Sequence, residues 1–370
     1  MKSFDEIFVD KTKYGVKVQT TEYSEVGEHI IIDQGQSQIA GYTDRQEGLF
    51  EEVPVVIFGD HTRVIKYVDE PFFLGADGVK VLRSKDDNAN YKYLYYALKN
   101  ARIPDTGYNR HFKWLKEVQI NYPDSDKQAE IVDILDNVSS VIKKREDELC
   151  VLDDLIKARF VEMFGGSDSE LNRWKQEPLG NICKRVKRYP TFCNMEYLES
   201  GVRVIRIGNI LQDGHMDVED KNYVFVYEKA NDDFPETIIE RNDIVMAVRG
   251  DGSAASRIGI ITEEKLIGAN ISPNLIRMQA DSEKILPLFF FYYLTGEVGQ
   301  KRLDSYVNKT AKKNIAAKDI VKVMTPIPPL DIQRQFVSLV EQVDKSKVVV
   351  QKALDETQIL FNSLMQQYFG

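Results

Sequence analysis

Residues 128–165 read QAEIVDILDNVSSVIKKREDELCVLDDLIKARFVEMFG, and residues 333–370 read QRQFVSLVEQVDKSKVVVQKALDETQILFNSLMQQYFG. A constant offset of 205 (333 − 128 = 205; 370 − 165 = 205) pairs Gln128 with Gln333, Val132 with Val337 and Val138 with Val343. It also pairs Leu149 with Leu354, Leu155 with Leu360 and Phe164-Gly165 with Phe369-Gly370, without a gap. A helix demands such a gapless match, because one inserted residue turns every later side chain by about 100° off its buried face. Two related long helices are expected, each about 58 Å long at about 1.5 Å per residue.

Their apolar spacing predicts what they pack against. Ile131, Leu135, Val138, Ile142, Leu149, Leu152, Ile156 and Met163 follow the three-and-four step of a heptad seam, as do Phe336, Val340, Val343, Val350, Leu354, Phe361 and Leu364. Arg145 and Arg159 interrupt the first seam, Lys347 and Thr357 the second. Polar seam residues commonly fix register or partner choice at a cost in stability. The plainer reading is two surface helices on separate domains.

A chain of 370 residues is long for one core, and two or three domains are expected. It has no apolar run of the ~18 residues that a membrane span needs, and Met1-Lys2-Ser3-Phe4-Asp5 does not begin a signal peptide. A soluble cytoplasmic protein is expected. Cys150, Cys183 and Cys193 form no metal spacing, and their odd number argues against a disulfide framework. A net charge of −9 and a pI near 5.2 argue against a free-standing nucleic-acid binder. Local charge differs: Lys184, Arg185, Lys187 and Arg188 crowd one segment, and Lys309, Lys312, Lys313, Lys318 and Lys322 another. Such runs are usually solvated faces, and phosphate contact is the alternative.

Residues 1–123 are expected to form a first globular domain. Runs at His29–Ile32, Val55–Phe58, Val64–Val68 and Val79–Leu82, bounded by Gly, Asp and Pro, predict strands. Helices are predicted over Tyr91–Asn100 and near His111–Glu117, before a last strand ending at Pro123. Pro123 and Pro328 stand just before the two long repeats and set the direction in which the chain enters them. Ser125 with Gln128 suggests a capping box, and Asp126 and Asp331 favour a helix N-terminus. The first long helix, within residues 124–165, is expected to end at Gly165-Gly166-Ser167-Asp168-Ser169, read as a linker. A second domain then occupies residues 166–328, and the second long helix residues 329–370.

The second domain echoes the first. Phe289–Leu294 resembles Tyr93–Leu98, Gly250-Asp251-Gly252-Ser253 resembles Gly59-Asp60-His61-Thr62, and Phe4-x-x-Ile7 resembles Leu179-x-x-Ile182, while the intervening loops differ. One scaffold with two loop sets suggests one task performed on two targets. If an internal two-fold axis relates the halves, the helices run antiparallel and two globular α/β domains emerge at opposite ends of their coiled coil, an α+β architecture.

The sequence at this point resembles the specificity subunit of type I restriction-modification systems, over nearly all of the chain. The resemblance rests on Pro328-Pro329-Leu330-Asp331-Ile332-Gln333, its weaker partner at Pro123 to Gln128, the paired helices closing in Phe-Gly, and Trp174-x-x-x-Pro178-Leu179-Gly180-Asn181-Ile182. It implies that each domain is a target recognition domain and that the helices are conserved spacers. It further implies a non-catalytic subunit that docks two methyltransferase subunits, joins two ATP-driven restriction subunits, and directs both reactions to a split site in double-stranded DNA. The Trp-containing lead-in before Leu179 has no counterpart before Phe4. That departure implies a slightly trimmed first domain, with Gly370 near Met1.

Direct readout needs polar side chains on loops that reach base edges. In the first domain the candidates are Gln36, Gln38 and Tyr42, then His61, Thr62 and Arg63, then Asn109, Arg110, His111 and Lys113 beside Tyr108. In the second they are Arg206 with Asn209, then Arg249, Ser253 and Arg257, then Lys309, Lys312, Lys313 and Asn314 beside Thr310. For each, an ordinary turn or strand-end polar group is the competing explanation. Asn109 and Asn314 also correspond under the 205 offset, as readers or as shared helix caps. Off the seam, Phe160, Ile359 and Tyr368 are read as buried beside the domains rather than as a docking face.

The sequence shows no glycine-rich cofactor loop with an Asn- or Asp-Pro-Pro-aromatic motif, and no Walker A sequence. No cofactor or metal is therefore expected: His29, His61, His111 and His215 are scattered, and Glu263-Glu264-Lys265 is the kind of acid-x-Lys tripeptide that arises by chance. Against a DNA-reading subunit stands a coiled-coil adaptor whose two domains bind proteins, and more remotely a self-sufficient nuclease. Phosphate contacts weaken steeply as salt rises, which separates DNA reading from the adaptor.

Overall fold

Each long repeat does form one unbroken helix, and each helix supplies core residues to two separately packed units. The computed structural model describes residues 1–75, 77–107, 109–189, 196–250, 254–308 and 313–370. Unit 1 comprises Met1–Asp147 with Val350–Gly370, and unit 2 comprises Glu148–Val349.

Unit 1 begins with β1 (Lys2–Ser3), α1 (Phe4–Ile7), β2 (Phe8–Asp10), β3 (His29–Ile32), β4 (Gly41–Thr43) and β5 (Val55–Gly59). It continues with β6 (Ile65–Val68), β7 (Phe72–Leu74), β8 (Val79–Ser84), α2 (Tyr91–Lys99), α3 (Phe112–Leu115) and β9 (Gln119–Ile120), and then enters α4 (Ser125–Phe164). Unit 2 contains α5 (Asp168–Leu171), β10 (Lys175–Pro178), α6 (Leu179–Ile182), β11 (Cys183–Arg188), β12 (Val202–Ile205) and β13 (Val224–Val226). After α7 (Ala230–Asp233) come β14 (Ile244–Ala247), β15 (Ile258–Ile260), β16 (Asn270–Ile271) and β17 (Leu275–Ala280). Last are α8 (Pro287–Thr295), α9 (Glu297–Asp304), α10 (Ala317–Ile320), β18 (Met324–Ile327) and α11 (Leu330–Phe369).

The two units share one topology. Unit 1 carries sheets β2-β8-β5-β6, β4-β3-β7 and β1-β9; unit 2 carries β11-β17-β14-β15, β13-β12-β16 and β10-β18. In both three-stranded sheets the middle strand meets one neighbour antiparallel and the other parallel. The continuous apolar runs of β5 and β14 explain their interior positions, since all their residues are buried. The predicted strands therefore form; β1, β2, β4 and β7 are too short or too mixed in pattern to be read from periodicity. Registers also correct one echo. Gly59 faces Val79 on β8 and Ala247 faces Leu275 on β17, so Gly59 corresponds to Ala247, not to Gly250.

The seam residues are buried or half-buried along both helices, and within each unit the helical segments run antiparallel. In unit 1, Ile131, Val132, Leu135, Phe361 and Met365 share one core with Phe4, Tyr93 and Leu94. In unit 2, Phe160 stacks on Phe289 at 5.6 Å between ring centroids and meets Phe336 edge-on at 5.4 Å. Polar seam positions find partners: the Arg145 guanidinium donates to Thr357 Oγ1 and Ala353 O, and Lys347 pairs with Asp153. Phe160 is buried as expected, and Tyr368 is half-buried, but Ile359 is 68 % exposed.

The helix N-termini differ from the expected capping box. Asp124 Oδ1 accepts from Lys127 N at 2.9 Å, while Gln128 Nε2 donates to Pro123 O at 2.8 Å. The same tie recurs in unit 2, where Gln333 Nε2 donates to Pro328 O at 2.7 Å and its Oε1 accepts from Leu286 N at 2.8 Å. Each glutamine thus serves the backbone carbonyl that proline leaves at the turn into the helix. Residues 165–169 are likewise not a loose linker. Gly165 adopts φ +113°, Ser167 and Glu170 form a capping box, and Trp174 Nε1 closes on Phe164 O at 2.9 Å.

Among the described residues no helix is long and apolar enough to cross a membrane. Gln333 is fully buried, so Gln333→Ala strands a buried N–H and a carbonyl and is expected to cost about 2 kcal/mol. Thermal unfolding of the full chain checks this against Ser338→Ala on the exposed helix face: equal midpoints for the two variants would refute the role given to Gln333.

Candidate nucleic-acid interface

In unit 1 the loops after β3 and β5 and the approach to α3 are tied to one another. Gln34 accepts from His61 N through Oε1 at 3.2 Å and from Thr62 Oγ1 through its carbonyl at 2.6 Å, and its Nε2 donates to Asp77 O at 2.9 Å. Asp60 receives the approach to α3: its carbonyl accepts from His111 N at 2.8 Å and its Oδ1 from Phe112 N at 2.7 Å. Arg63, at φ 61°, reaches Asp105 at 2.7 Å. Asn109 donates to Thr106 O and is exposed, as are Gln36, Thr62, Arg110 and Lys113.

Two residues of this set serve packing. His111 is 1 % exposed, with Nδ1 3.0 Å from Asp60 O and Nε2 3.3 Å from Thr106 Oγ1, so it is a structural pin and not a surface donor. Tyr42 lies half-buried on β4 against the core around Ile30 and Phe72. Gln38, by contrast, is exposed, and its Nε2 donates to Tyr67 O at 2.7 Å beside a cleft of about 280 Å³ lined by Lys92, Tyr95 and Asp136.

Unit 2 brings the matching loops together with different residues. Ser272 N donates to Ile205 O at 2.9 Å, Val248 N to Asn274 O at 2.9 Å, and Ile315 N to Val248 O at 3.0 Å. Gly75 N, Asp60 N and His111 N make the corresponding bonds in unit 1. Asp33 thus corresponds to Arg206, Asp60 to Val248, and buried His111 to buried Ile315. This shifts the loop register by one residue from the 205 offset: Asn314 matches Arg110, not Asn109, and the helix caps are His111 and Ala316.

Arg206 lines a polar cleft of about 700 Å³ with Tyr197, Lys221, Asn222 and Asn274, and its Nη2 donates to Asn222 O at 3.0 Å. Asn209 is 2 % exposed and holds this corner, accepting from Arg206 N at 2.8 Å and donating to Asn222 O at 3.0 Å. Burial removes it from the reading surface. Arg249 is exposed at the end of β14 and bridges to Asn314, and Lys313 is exposed beside it. Arg257 instead donates to Ile210 O at 3.3 Å and faces a different cavity, with His215 and Tyr292. Tyr108, Ser253, Lys309, Thr310 and Lys312 lie outside the described residues, as does Cys193.

The basic run on β11 separates by partner. Arg185 pairs with Glu240 at 3.1 Å and Lys187 with Glu236 at 3.3 Å, whereas Arg188 donates through Nε to Pro273 O at 2.8 Å. Periodicity could not single out Arg188, because the carboxylates that neutralise its neighbours come from a distant segment. Among the described residues no cluster of His, Cys, Asp and Glu could hold a metal ion.

A model of the type I restriction modification DNA specificity domain matches residues 11–150 and again 172–357. The chain belongs to this family. Its members recognise DNA as specificity subunits of type I restriction-modification systems. The chain is similar to the Escherichia coli type I restriction enzyme EcoR124I/EcoR124II specificity subunit, 24 % identical over 90 % of this chain and 83 % of the relative. It is similar to the Methanocaldococcus jannaschii MjaVIII specificity subunit, 23 % identical over 76 % and 72 %. The type I restriction-modification S subunit from M. genitalium has the same fold, with a TM-score of 0.56 at 19 % identity over 100 % of this chain and 95 % of that one.

In this specificity-subunit chain a titratable cluster stands apart from the strand-end loops. His215 Nδ1 lies 3.3 Å from Asp213 Oδ2, and the cluster also includes Asp344 and Lys347 of α11. The Asp213 contact raises the imidazole against the effect of burial; Asp344 adds to the rise and Lys347 opposes it. Asp213 is drawn down to about 2 by the same contact, while burial raises Asp344. An imidazole raised in the folded state stabilises fully below its unfolded value of about 6.5 and loses that contribution as pH rises through the folded value. Raised Asp344 acts in the same direction at lower pH, gaining as pH falls. The unfolding midpoint is thus expected to decline from pH 6 to pH 8, at about the imidazole range, and His215→Gln to flatten the decline. An unchanged decline in the variant would remove His215 as its source.

Proposed function

We propose that the chain reads a two-part site in double-stranded DNA as the non-catalytic recognition subunit of a type I restriction-modification complex. Each globular domain meets one half-site, and the chain docks methyltransferase and restriction subunits, two of each, in the cytoplasm. On this reading residues 1–123 and 166–328 are the target recognition domains, and residues 124–165 and 329–370 the spacers. The observation that carries the reading is one strand order built twice with different strand-end residues, half-buried Asp33 standing in unit 1 where unit 2 has Arg206. A repeated scaffold keeps the approach to the groove, and unlike loops select unlike bases.

The contacts assigned to the first domain are Gln36, Gln38, His61, Thr62, Arg63, Asn109, Arg110 and Lys113. Those of the second are Arg206, Arg249, Lys313 and Asn314, with Ser253, Lys309 and Lys312 from the adjoining stretches. Arginine suits this work because its planar fork matches guanine and phosphate oxygens. Half-sites on one face of B-DNA recur every 34–36 Å, roughly one helical turn, so two readers need a seam that holds phase, which a loose linker would lose. A solved structure described as bearing on complex assembly and conformational transition of the type I system shares the fold at a TM-score of 0.56, which fits a subunit that works within an assembly.

Purification with its genomic neighbours and footprinting should give two protected blocks separated by an open gap, weakening steeply with salt. One continuous block, or salt-indifferent partner binding, would favour a protein adaptor instead. Arg249→Ala should relax one half-site by about 1–3 kcal/mol of base discrimination and leave the other intact, as read by sequencing methylated sites. Equal loss in both halves would refute independent reading.

A further inference from the structure

Two arginines meet at the turn Ser272-Pro273-Asn274, which joins β16 to β17. Arg188, the last residue of β11, donates through Nε to Pro273 O at 2.8 Å, and its Nη2 is enclosed without a hydrogen-bond partner. Arg206 follows Ile205, whose carbonyl accepts from Ser272 N at 2.9 Å. Its Nε is also enclosed and unpartnered, and it shares the 700 Å³ cleft with Ser272 and Asn274. Neither guanidinium has a carboxylate within ion-pair distance among the described residues.

Arg277, in the same sheet, shows what a buried guanidinium requires. It is fully buried, with Asp243 Oδ2 at 2.6 Å and Glu240 Oε1 at 2.9 Å. Burying a guanidinium without such partners is costly, because lost hydration is not replaced. Arg188 lacks them. Burial and then the charge of Arg249 both push its pKa down, and no carboxylate opposes the shift. Uncompensated positive charge persists here in a chain of net charge −9, which has acidic side chains to spare. An anion supplied from outside would neutralise both groups through their exposed edges.

We propose that Arg188 and Arg206 form a phosphodiester clamp of the second recognition domain, gripping the DNA backbone at the Ser272-Pro273-Asn274 turn. This rests on the DNA-reading function proposed above and adds a positioning element to it. Both side chains are half-buried, and their exposed N–H groups, not the enclosed ones, are the donors offered to phosphate oxygens. Unit 1 places Asp33, held by buried Lys66 at 3.5 Å, where unit 2 has Arg206, so the clamp belongs to the second domain alone.

The test measures binding of a labelled random-sequence duplex by the full chain, in the complex recovered with its genomic neighbours, between about 50 and 200 mM salt. Arg188→Ala and Arg206→Ala should each reduce the log-log salt slope by about one and weaken binding about eightfold at 0.1 M salt. Arg188→Lys should keep the slope, because a point charge suffices for phosphate. Arg185→Ala, which removes one partner of Glu240 and leaves Arg277 on it, should leave the slope unchanged. Arg188→Gln substitutes where the alanine variant fails to melt cooperatively. Wild-type affinity and slope in the Arg188 and Arg206 variants would overturn the clamp and leave DNA reading intact. A flat salt response in the unmutated complex would overturn both.

Discussion

Neither globular domain closes its core by itself; the long helices do it. In unit 2, Phe160 and Phe164 from α4 pack on Phe289, with Phe164 and Phe289 4.7 Å apart, and Phe336 from α11 closes edge-on against both α4 rings. In unit 1 the corresponding packing sets Tyr93 5.2 Å from Phe369 and Tyr96 6.2 Å from Phe361. Large aromatic surfaces carry much of a core's stabilisation. The helices therefore cannot drift against the sheets without opening that core. The constraint also explains why the duplicated stretch tolerates no insertion, since a rotation of about 100° would turn these rings into solvent.

Polar residues in the seam follow the same logic. A guanidinium between helices must be satisfied or it destabilises them. Arg145 meets that requirement with Thr357 and the Ala353 carbonyl, and Lys347 meets it with Asp153. Such contacts penalise a slipped register, because a shift would take both cations away from these partners.

Above this shared frame, the two domains differ in the residues at their strand ends. Equivalent hydrogen bonds hold the same loops at the same strand ends, yet Asp33 is replaced by Arg206 and Asp60 by Val248. In unit 1 the charge at this corner is settled internally through Lys66 and Asp33. In unit 2 the sheet settles Arg277 internally and leaves Arg188 and Arg206 without carboxylates.

The sequence by itself determined the duplication, both long helices, their seam, the helix at Tyr91 and the stronger strands. Each of these follows from local periodicity, and periodicity survives in one dimension. Only the tertiary structure decided which polar residues are scaffold. His111 and Asn209 looked like loop donors and proved buried, Gln128 looked like a capping group and proved, like Gln333, to hold a proline carbonyl, and Asn314 proved to match Arg110. Arg188 could not be told from Arg185 or Lys187 along the chain. The physical reason is that burial and charge compensation depend on neighbours far away in sequence, Glu236 and Glu240 among them, which only folding brings within reach.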